Sequence, residues 1–503
     1  MHTSIRPRIL TALFHASLYS LLFATLALLS ACGGGYGGGN DGGGGGGVST
    51  APVISAAGPP SGTVGVAYSF TFTVSSGGQS PFTWSETGAL PGGLTLSSGG
   101  LLSGAPTASG SFPITVKVTD YNSQTATKDF PITIASAPST FSFTGSMATP
   151  RFFHTATLLS SGQVLVAGGE DNTGNANATA ELYDPTAGTF SPATGALTDA
   201  RFSHTATLLN DGTVLFAGGT GLAGTSLSSA EIYDPTAGTF SSTTGAMTSV
   251  RSQHTDTLLG DGTVLIAGGV DASGNALNTA EVYNPATKTF TATTGHMTSA
   301  RYQHTATLLD GGTVLLAGGV DATGVTTATT EIYDPAAHTF TASASMADSR
   351  AQHAAISIGL GSVLVAGGYS NANQTVTALS SGQSYNSTFT PLLSDMVEPR
   401  AQYTITSLGT GIFILTGGAN FVLANCGNNC VTFAPQSLSS AEGFSSFDLD
   451  FFPESPMKTA RRGHTATLLG DGFTILIVGG ANSTLNARNQ LVDAILSSAE
   501  LFK

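Results

Sequence analysis

Charge is what this sequence has least of. Of its 503 residues only 9% are Asp, Glu, Lys or Arg, and 30 acids against 16 bases give a formal net charge of -14. Nucleic-acid binding needs a basic footprint that displaces counterions from phosphate, and none is present, so nucleic acid is excluded as a partner. Cysteine is as scarce: Cys32, Cys426 and Cys430 are the 3 in the chain. That number excludes a disulfide framework and a cysteine-rich zinc module. Gly, Ser, Thr and Ala dominate instead, with 65 glycines, in a chain long enough for more than one domain.

Residues 1–31 have the parts of a secretory signal: Arg6 and Arg8 in front, an apolar stretch from Ile9 to Leu29, then small residues. Leu29-Ser30-Ala31-Cys32 resembles the bacterial lipobox, which implies acylation of Cys32 and a membrane partner through the lipid anchor. Gly33 follows the cysteine, and the lack of Asp there implies, by the rule for such lipoproteins, the outer membrane or cell surface of a bacterium, facing the periplasm or exported. Residues 32–50 read as a flexible tether, because the run from Gly33 to Gly47 is almost entirely glycine and has few side chains to bury.

Residues 51–137 carry short Val, Ile, Thr and Phe runs such as Tyr68 to Val74 and Phe112 to Val118, cut by Gly and Pro turns, as in a small β-sandwich. The order GVAYSFTFTV, PFTWSETGALPGGLTLSSGGLLSGAPT, GSFPITVKVTD and FPITI resembles the He-PIG type of immunoglobulin-like domain from bacterial surface proteins. With no cysteine pair, Trp84 and the alternating apolar positions have to supply the core. A spacer is the preferred reading, and Asp120 alone is weak ground for calcium, which takes 6–8 oxygens.

From residue 138 to 503 the chain repeats itself about every fifty residues. Arg151, Arg201, Arg251, Arg301, Arg350, Arg400 and Arg461 open the copies, and each copy later holds a glycine pair such as Gly218-Gly219. Within a copy HTATLL alternates, Asp211-Gly212 or its equivalent marks a tight hairpin, and an apolar run such as Thr213 to Ala217 follows, as for a strand covered on both faces. A third strand, Ala230 to Tyr233, ends at Asp234-Pro235, and a fourth follows near Phe240. Four antiparallel strands per copy make a propeller blade. The glycine pair and the following Tyr resemble kelch repeats, the propeller class that includes galactose oxidase. The fold expected is all-β, a seven-bladed kelch-like β-propeller preceded by a small immunoglobulin-like sandwich. The last copy stops at its third strand, and Ser139 to Gly145 matches the missing fourth, so that segment is expected to close the ring.

The recurring polar residues read as scaffold. His154, His204, His254, His304, His353 and His464 take one place per copy, with Tyr403 in the remaining one, too dispersed for shared metal ligation. Arg151 with Glu181, Arg201 with Glu231, Arg251 with Glu281 and Arg301 with Glu331 are spaced as charge-assisted pairs linking strands, while copy five has Gln383 opposite Arg350. Asp171 to Asn175 and Asp271 to Asn275 read as turns in preference to calcium loops. Cys426 and Cys430 suggest a small loop disulfide in an oxidising compartment. The kelch resemblance would bring a copper site of tyrosines and histidines only in the oxidase, and no matching set can be placed, so no cofactor or metal and no catalytic residue is assigned.

Function is then sought in what does not repeat. The loops after each glycine pair vary, as do the residues between Arg and His, Phe153, Gln253, Gln303, Gln352 and Gln402 among them; loops on a rigid scaffold usually carry binding, and aromatics and amides around a shallow centre would suit a glycan or peptide. Phe152, Phe202, Tyr302, Arg462 and Arg488, with the loop from Ala419 to Ser440, are the candidate ligand contacts. The expected function is an envelope-anchored lipoprotein whose propeller loops bind a protein or glycan. The alternatives are a carbohydrate-active or galactose-oxidase-like enzyme on the same propeller, and a structural envelope protein.

Overall fold

The computed structural model describes residues 50–135, 139–372, 375–427 and 430–503, with backbone alone for 426, 427, 430 and 431. The signal and tether, including Cys32, lie outside the described residues, as do the side chains of Cys426 and Cys430. Among the described residues every regular element is a strand, and no helix is long and apolar enough to cross a membrane. The chain divides into two compact units, Met1–Ala137 and Pro138–Lys503.

In the first unit, Thr83–Thr87, Gly110–Thr119, Thr125–Ala135 and Gly62–Thr63 form one sheet; Tyr68–Thr71, Leu101–Gly104 and Leu94–Leu96 form a second. Phe130, Ile132 and Ile134 are buried at alternate positions of one strand, the period-2 pattern of a half-buried sheet. Trp84 stacks on Phe72 at 6.0 Å between ring centroids and anchors the core. The Asp120 carboxylate is buried and accepts the backbone N–H groups of Gln79 (3.0 Å) and Gln124 (2.7 Å), so it holds a turn.

Among the described residues the second unit contains seven four-stranded antiparallel sheets. The second of these is representative: Thr205–Leu208, Val214–Ala217, Ala230–Asp234 and Thr239–Ser242, from the inner to the outer strand. The strand Val164–Ala167 shows why the second strand is wholly apolar. Val164 and Val166 pack with Leu476 and Val478 of one neighbouring sheet, while Leu165 and Ala167 pack with Val214 and Phe216 of the other. Each strand therefore serves two cores, and a polar residue there needs a partner from the protein, as Thr416 finds at the end of Ile412–Thr416 with Thr404 and His464. The seventh sheet joins Thr465–Leu468, Ile475–Val478 and Ala499–Phe502 to Phe141–Phe143 from the start of the unit.

Three repeated devices tie the blades together. Arg201 Nη1 donates to the carbonyls of Gly218 (2.7 Å) and Ser229 (3.1 Å), and Nη2 reaches Glu231 at 2.8 Å. Glu231 in turn accepts the N–H groups of Thr198 and Asp199, so one buried pair staples the connector to the second and third strands. The glycine pair makes room for it: both glycines have positive φ, and a Cβ on Gly218 would stand 2.4 Å from the Arg251 carbonyl of the next blade. The histidines supply the third device. His204 Nε2 meets the Thr155 hydroxyl of the preceding blade at 3.0 Å, and the same bond recurs for His154, His254, His304, His353 and His464.

Two departures from the repeat compensate themselves. Where Gln383 replaces the glutamate, the Asp348 carboxylate reaches Arg350 at 3.3 Å and accepts the Ser381 hydroxyl at 2.7 Å. Where Ala354 replaces the inner-strand threonine, the facing residue is Tyr403, whose hydroxyl donates to the Ala366 carbonyl at 2.7 Å.

Candidate functional site

The connector between outer and inner strands has the form Arg-x-x-His. Its first variable residue bridges to the residue after the glycine pair, as Phe152 does with Glu170 and Tyr302 with Val320. Its second variable residue takes a left-handed backbone: φ is 52° at Phe153, 50° at Ser203, 55° at Gln253, 54° at Gln303, 50° at Gln352, 55° at Gln402 and 56° at Gly463. Each of these seven N–H groups donates to the carbonyl of its counterpart one blade back, and Phe153 to Gly463, at 3.2 Å, completes the circle. This ring of backbone bonds is the rim of the inner opening. Its side chains are half-buried.

A left-handed backbone costs a non-glycine residue about 1 kcal/mol or more, and glycine at 463 shows that the ring accommodates it there. Four of the other six positions are glutamine, and the amides are linked. Gln402 Nε2 donates to Gln352 Oε1 at 3.0 Å, and Gln303 Nε2 to Gln253 Oε1 at 2.6 Å. Arg462 Nη1 donates to Gln402 Oε1 at 2.8 Å, and the Tyr369 hydroxyl donates to Gln303 Oε1 at 3.0 Å. Burial pushes the Tyr369 phenol up to about 12, so it keeps its proton.

Arg462 lies beneath this surface. Its Nε donates to the Ser483 hydroxyl at 2.6 Å, Nη2 approaches Asp493 at 3.3 Å, and the guanidinium covers the Phe152 ring at 4.7 Å. Phe152 is itself buried and packs on Phe153. Both residues thus support the rim from below. Phe202 and Tyr302 are half-buried outside it, and burial raises the Tyr302 phenol. Arg488 is exposed at the tip of a hairpin.

The same face is uneven. In blades five to seven the second-to-third connections are hairpins: Tyr369–Ser370 with Thr377–Ala378, Ala419–Gly427 with Cys430–Ser437, and Ala481–Leu485 with Leu491–Ile495. They brace one another. The Asn425 N–H donates to the Asn489 carbonyl at 2.6 Å, Asn489 Nδ2 to the Leu423 carbonyl at 3.1 Å, and Tyr369 packs on Phe421 at 5.6 Å. Blades one, three and four carry short Asp turns instead. Asp171 Oδ1 accepts the N–H groups of Thr173 and Asn175, and Asp271 Oδ1 those of Ser273 and Asn275. Hydrogen bonds from those partners hold both carboxyls below the usual range.

Below the rim an open cavity of about 390 Å³ is lined by inner-strand residues including Ala156, Ala355, Tyr403, Thr404 and Ala466. At the register of Ala156 and Ala306, blade three has Asp256, which accepts the Thr207 hydroxyl and whose carboxyl burial pushes upward. Among the described residues no group of three or more His, Cys, Asp or Glu could hold a metal ion.

The sequence pointed to the residues between Arg and His, Gln253, Gln303, Gln352 and Gln402 among them; what it did not show is their shared left-handed backbone and the bonds that link their amides. The signal was present in the fixed offset from each arginine.

Comparison with known proteins bears on the fold. Residues 134–319 match the family model of the KLHDC2/KLHL20/DRC7 Kelch-repeats domain, and residues 51–135 match the He_PIG immunoglobulin-like domain. No curated protein sequence matches the chain. Among solved structures, one described as the structure of YjhT is similar at 15% identity and a TM-score of 0.45, over 59% of this chain and 93% of that one. The family matches agree with the stapled four-stranded sheets: the chain has a kelch-like β-propeller fold, preceded in the sequence by a segment similar to the He_PIG immunoglobulin-like domain.

Proposed function

We propose that this protein is a lipid-anchored binding module of the bacterial cell envelope, with the amide rim and the hairpins of blades five to seven as its contact face. The observation that carries the reading is how the polar side chains are used. The repeated arginines and histidines are committed to the scaffold, whereas the rim glutamines hold hydrogen-bonding capacity in reserve at a solvent-reached opening. Function on a propeller belongs to such groups, set on a rigid frame. The sequence of residues 1–50 supports the anchoring: an apolar signal, Cys32 in a lipobox-like context, and a glycine tether giving reach.

The test compares the chain from residue 33 with its Gln303→Ala/Gln352→Ala double variant, each immobilised and exposed to envelope extract and to a glycan array. The expected result is loss of the bound species by a variant that melts like the parent. The same species retained on both surfaces would remove the rim from the binding site. For the anchor, Cys32→Ser should abolish incorporation of labelled fatty acid; labelling that persists would contradict it.

A further inference from the structure

Resting on that reading, we propose that the outer edge of the strand Leu491–Ile495 receives an extended basic peptide, which adds as a further antiparallel strand and turns its lysine or arginine side chains towards Asp493 and Glu170. Leu491–Ile495 pairs on one side, with Ala481–Leu485. The Asn486 N–H donates to the Gln490 carbonyl at 2.9 Å and the Leu496 N–H to the Gly480 carbonyl at 2.8 Å, which fixes the phase of this ladder. Alternate residues of an antiparallel pair exchange bonds, so Gln490, Val492, Ala494 and Leu496 spend their backbone groups inward, while Leu491, Asp493 and Ile495 turn theirs outward. The outward Ile495 N–H is taken by Asn172 Oδ1 at 3.0 Å, a side-chain carbonyl from blade one standing where a strand carbonyl would. The N–H and carbonyl groups of Leu491 and Asp493 have no partner among the described residues. Such an edge is a template for another chain unless something covers it, and the loop of blade one reaches no further than Ile495. Two donor–acceptor pairs one strand repeat apart, about 6.8 Å, match an extended backbone residue for residue.

Charge selects which peptide. Ser483 and Asp493 are opposed across the hairpin and both hold Arg462, so the side chains of Leu491 and Asp493 share the Arg462 side of the hairpin. Residues of an added strand that lie opposite these two point to that same face. There the Asp493 carboxylate is 41% exposed despite its contact with Arg462. Burial pushes the Glu170 carboxyl up, Arg462 opposes the rise, and Asp171 and Asp493 add to it, so three acids share one neighbourhood. The Glu170 carboxylate accepts no hydrogen bond among the described residues. Arg462 cannot serve all three, since its donors already go to Ser483, Gln402 and Asp493. An acidic strand is repelled from this edge, and a basic one brings the missing cations.

The test is fluorescence anisotropy of the chain from residue 33 with a labelled peptide of alternating threonine and lysine, long enough to span the strand. Two comparators keep its sequence and charge. One is N-methylated on the lysines, whose N–H groups would face the edge, and the other on the threonines, whose N–H groups would face away. The expected result is that methylation on lysine weakens binding roughly tenfold or more relative to methylation on threonine, the size of one or two lost hydrogen bonds. Leu491→Pro deletes one outward N–H at the first residue of the strand, where proline is tolerated, and should weaken the unmethylated peptide roughly threefold or more. Glu170→Gln should weaken it too and lower the salt dependence of binding. Equal binding of the two methylated peptides would mean that charge alone draws them to an acidic protein, and would overturn the proposal. An unchanged affinity in a folded Leu491→Pro or Glu170→Gln variant, or no binding of the unmethylated peptide, would overturn it as well. The Gln303→Ala/Gln352→Ala comparison reads the rim and not this edge, so the two readings fail separately.

Discussion

At the scale of single residues the histidines carry a clear consequence for pH. Desolvation, helped by the neighbouring arginine, lowers His154 and His254 from 6.5 to about 3, and lowers His204, His304, His353 and His464 well below the usual value. The folded state therefore holds neutral imidazoles that the unfolded chain protonates. Their contribution to stability is complete above pH 6.5 and falls as pH drops below it; for His154 and His254 it is gone once the folded value near 3 is passed. Each histidine steepens the fall by roughly 1.4 kcal/mol per pH unit within that window. Tyr403 shows that the site accepts a side chain that does not titrate there, since burial and its bond to Ala366 keep it protonated. His254→Gln should therefore flatten the dependence of unfolding free energy on pH between 6 and 4 by about one proton. Parallel slopes in parent and variant would show that the imidazole is not buried as described.

At the scale of elements the arginine staple decides how a blade is held. Arg251 is fully buried, donates to the Gly268 carbonyl at 2.7 Å and reaches Glu281 at 2.9 Å. Arg251→Ala would leave Glu281 buried with its charge uncompensated, and the expected loss is about 3–5 kcal/mol in denaturant unfolding. Blade five offers the contrast. Its partner carboxylate, Asp348, is about half exposed, so Asp348→Asn should cost about 1 kcal/mol or less. Similar losses from the two changes would mean that the buried pair has no special weight. The Arg-to-Glu spacing was readable in the sequence because the repeat writes it several times over. The Asp348 substitute was not, because it sits two residues before its arginine, where other copies have Thr, Ser, Asp or Glu.

At the scale of the whole molecule, what was legible and what was not divide along the same line. Period, glycine pairs and apolar second strands are dictated by close packing between like blades, so each leaves the same mark in every copy. The rim is set by a backbone conformation that Phe153, Ser203 and Gln253 adopt alike, and residue type conceals it. Arg462, a candidate contact from its exceptional place in the sequence, proves to be enclosed by an interblade network that only the fold assembles. The closing strand belongs with the legible features, because a copy lacking one strand has to borrow it. Its hold is narrow: Phe141, Ser142 and Phe143 pair with Phe502, Leu501 and Glu500, Phe141 packs on Phe502 at 5.0 Å, and Thr140 and Lys503 exchange backbone bonds. Phe141 is 2% exposed, so Phe141→Ala should cost about 3–5 kcal/mol. That loss falls on the one seam where chain connectivity does not hold neighbouring strands together. Native-state hydrogen exchange should therefore quicken first in Phe141–Phe143 and Ala499–Phe502, while Val314–Ala317 across the ring keeps its protection until the molecule unfolds globally. Uniform acceleration in all three strands would mean that the ring opens as a unit and that the borrowed strand is not its weakest joint.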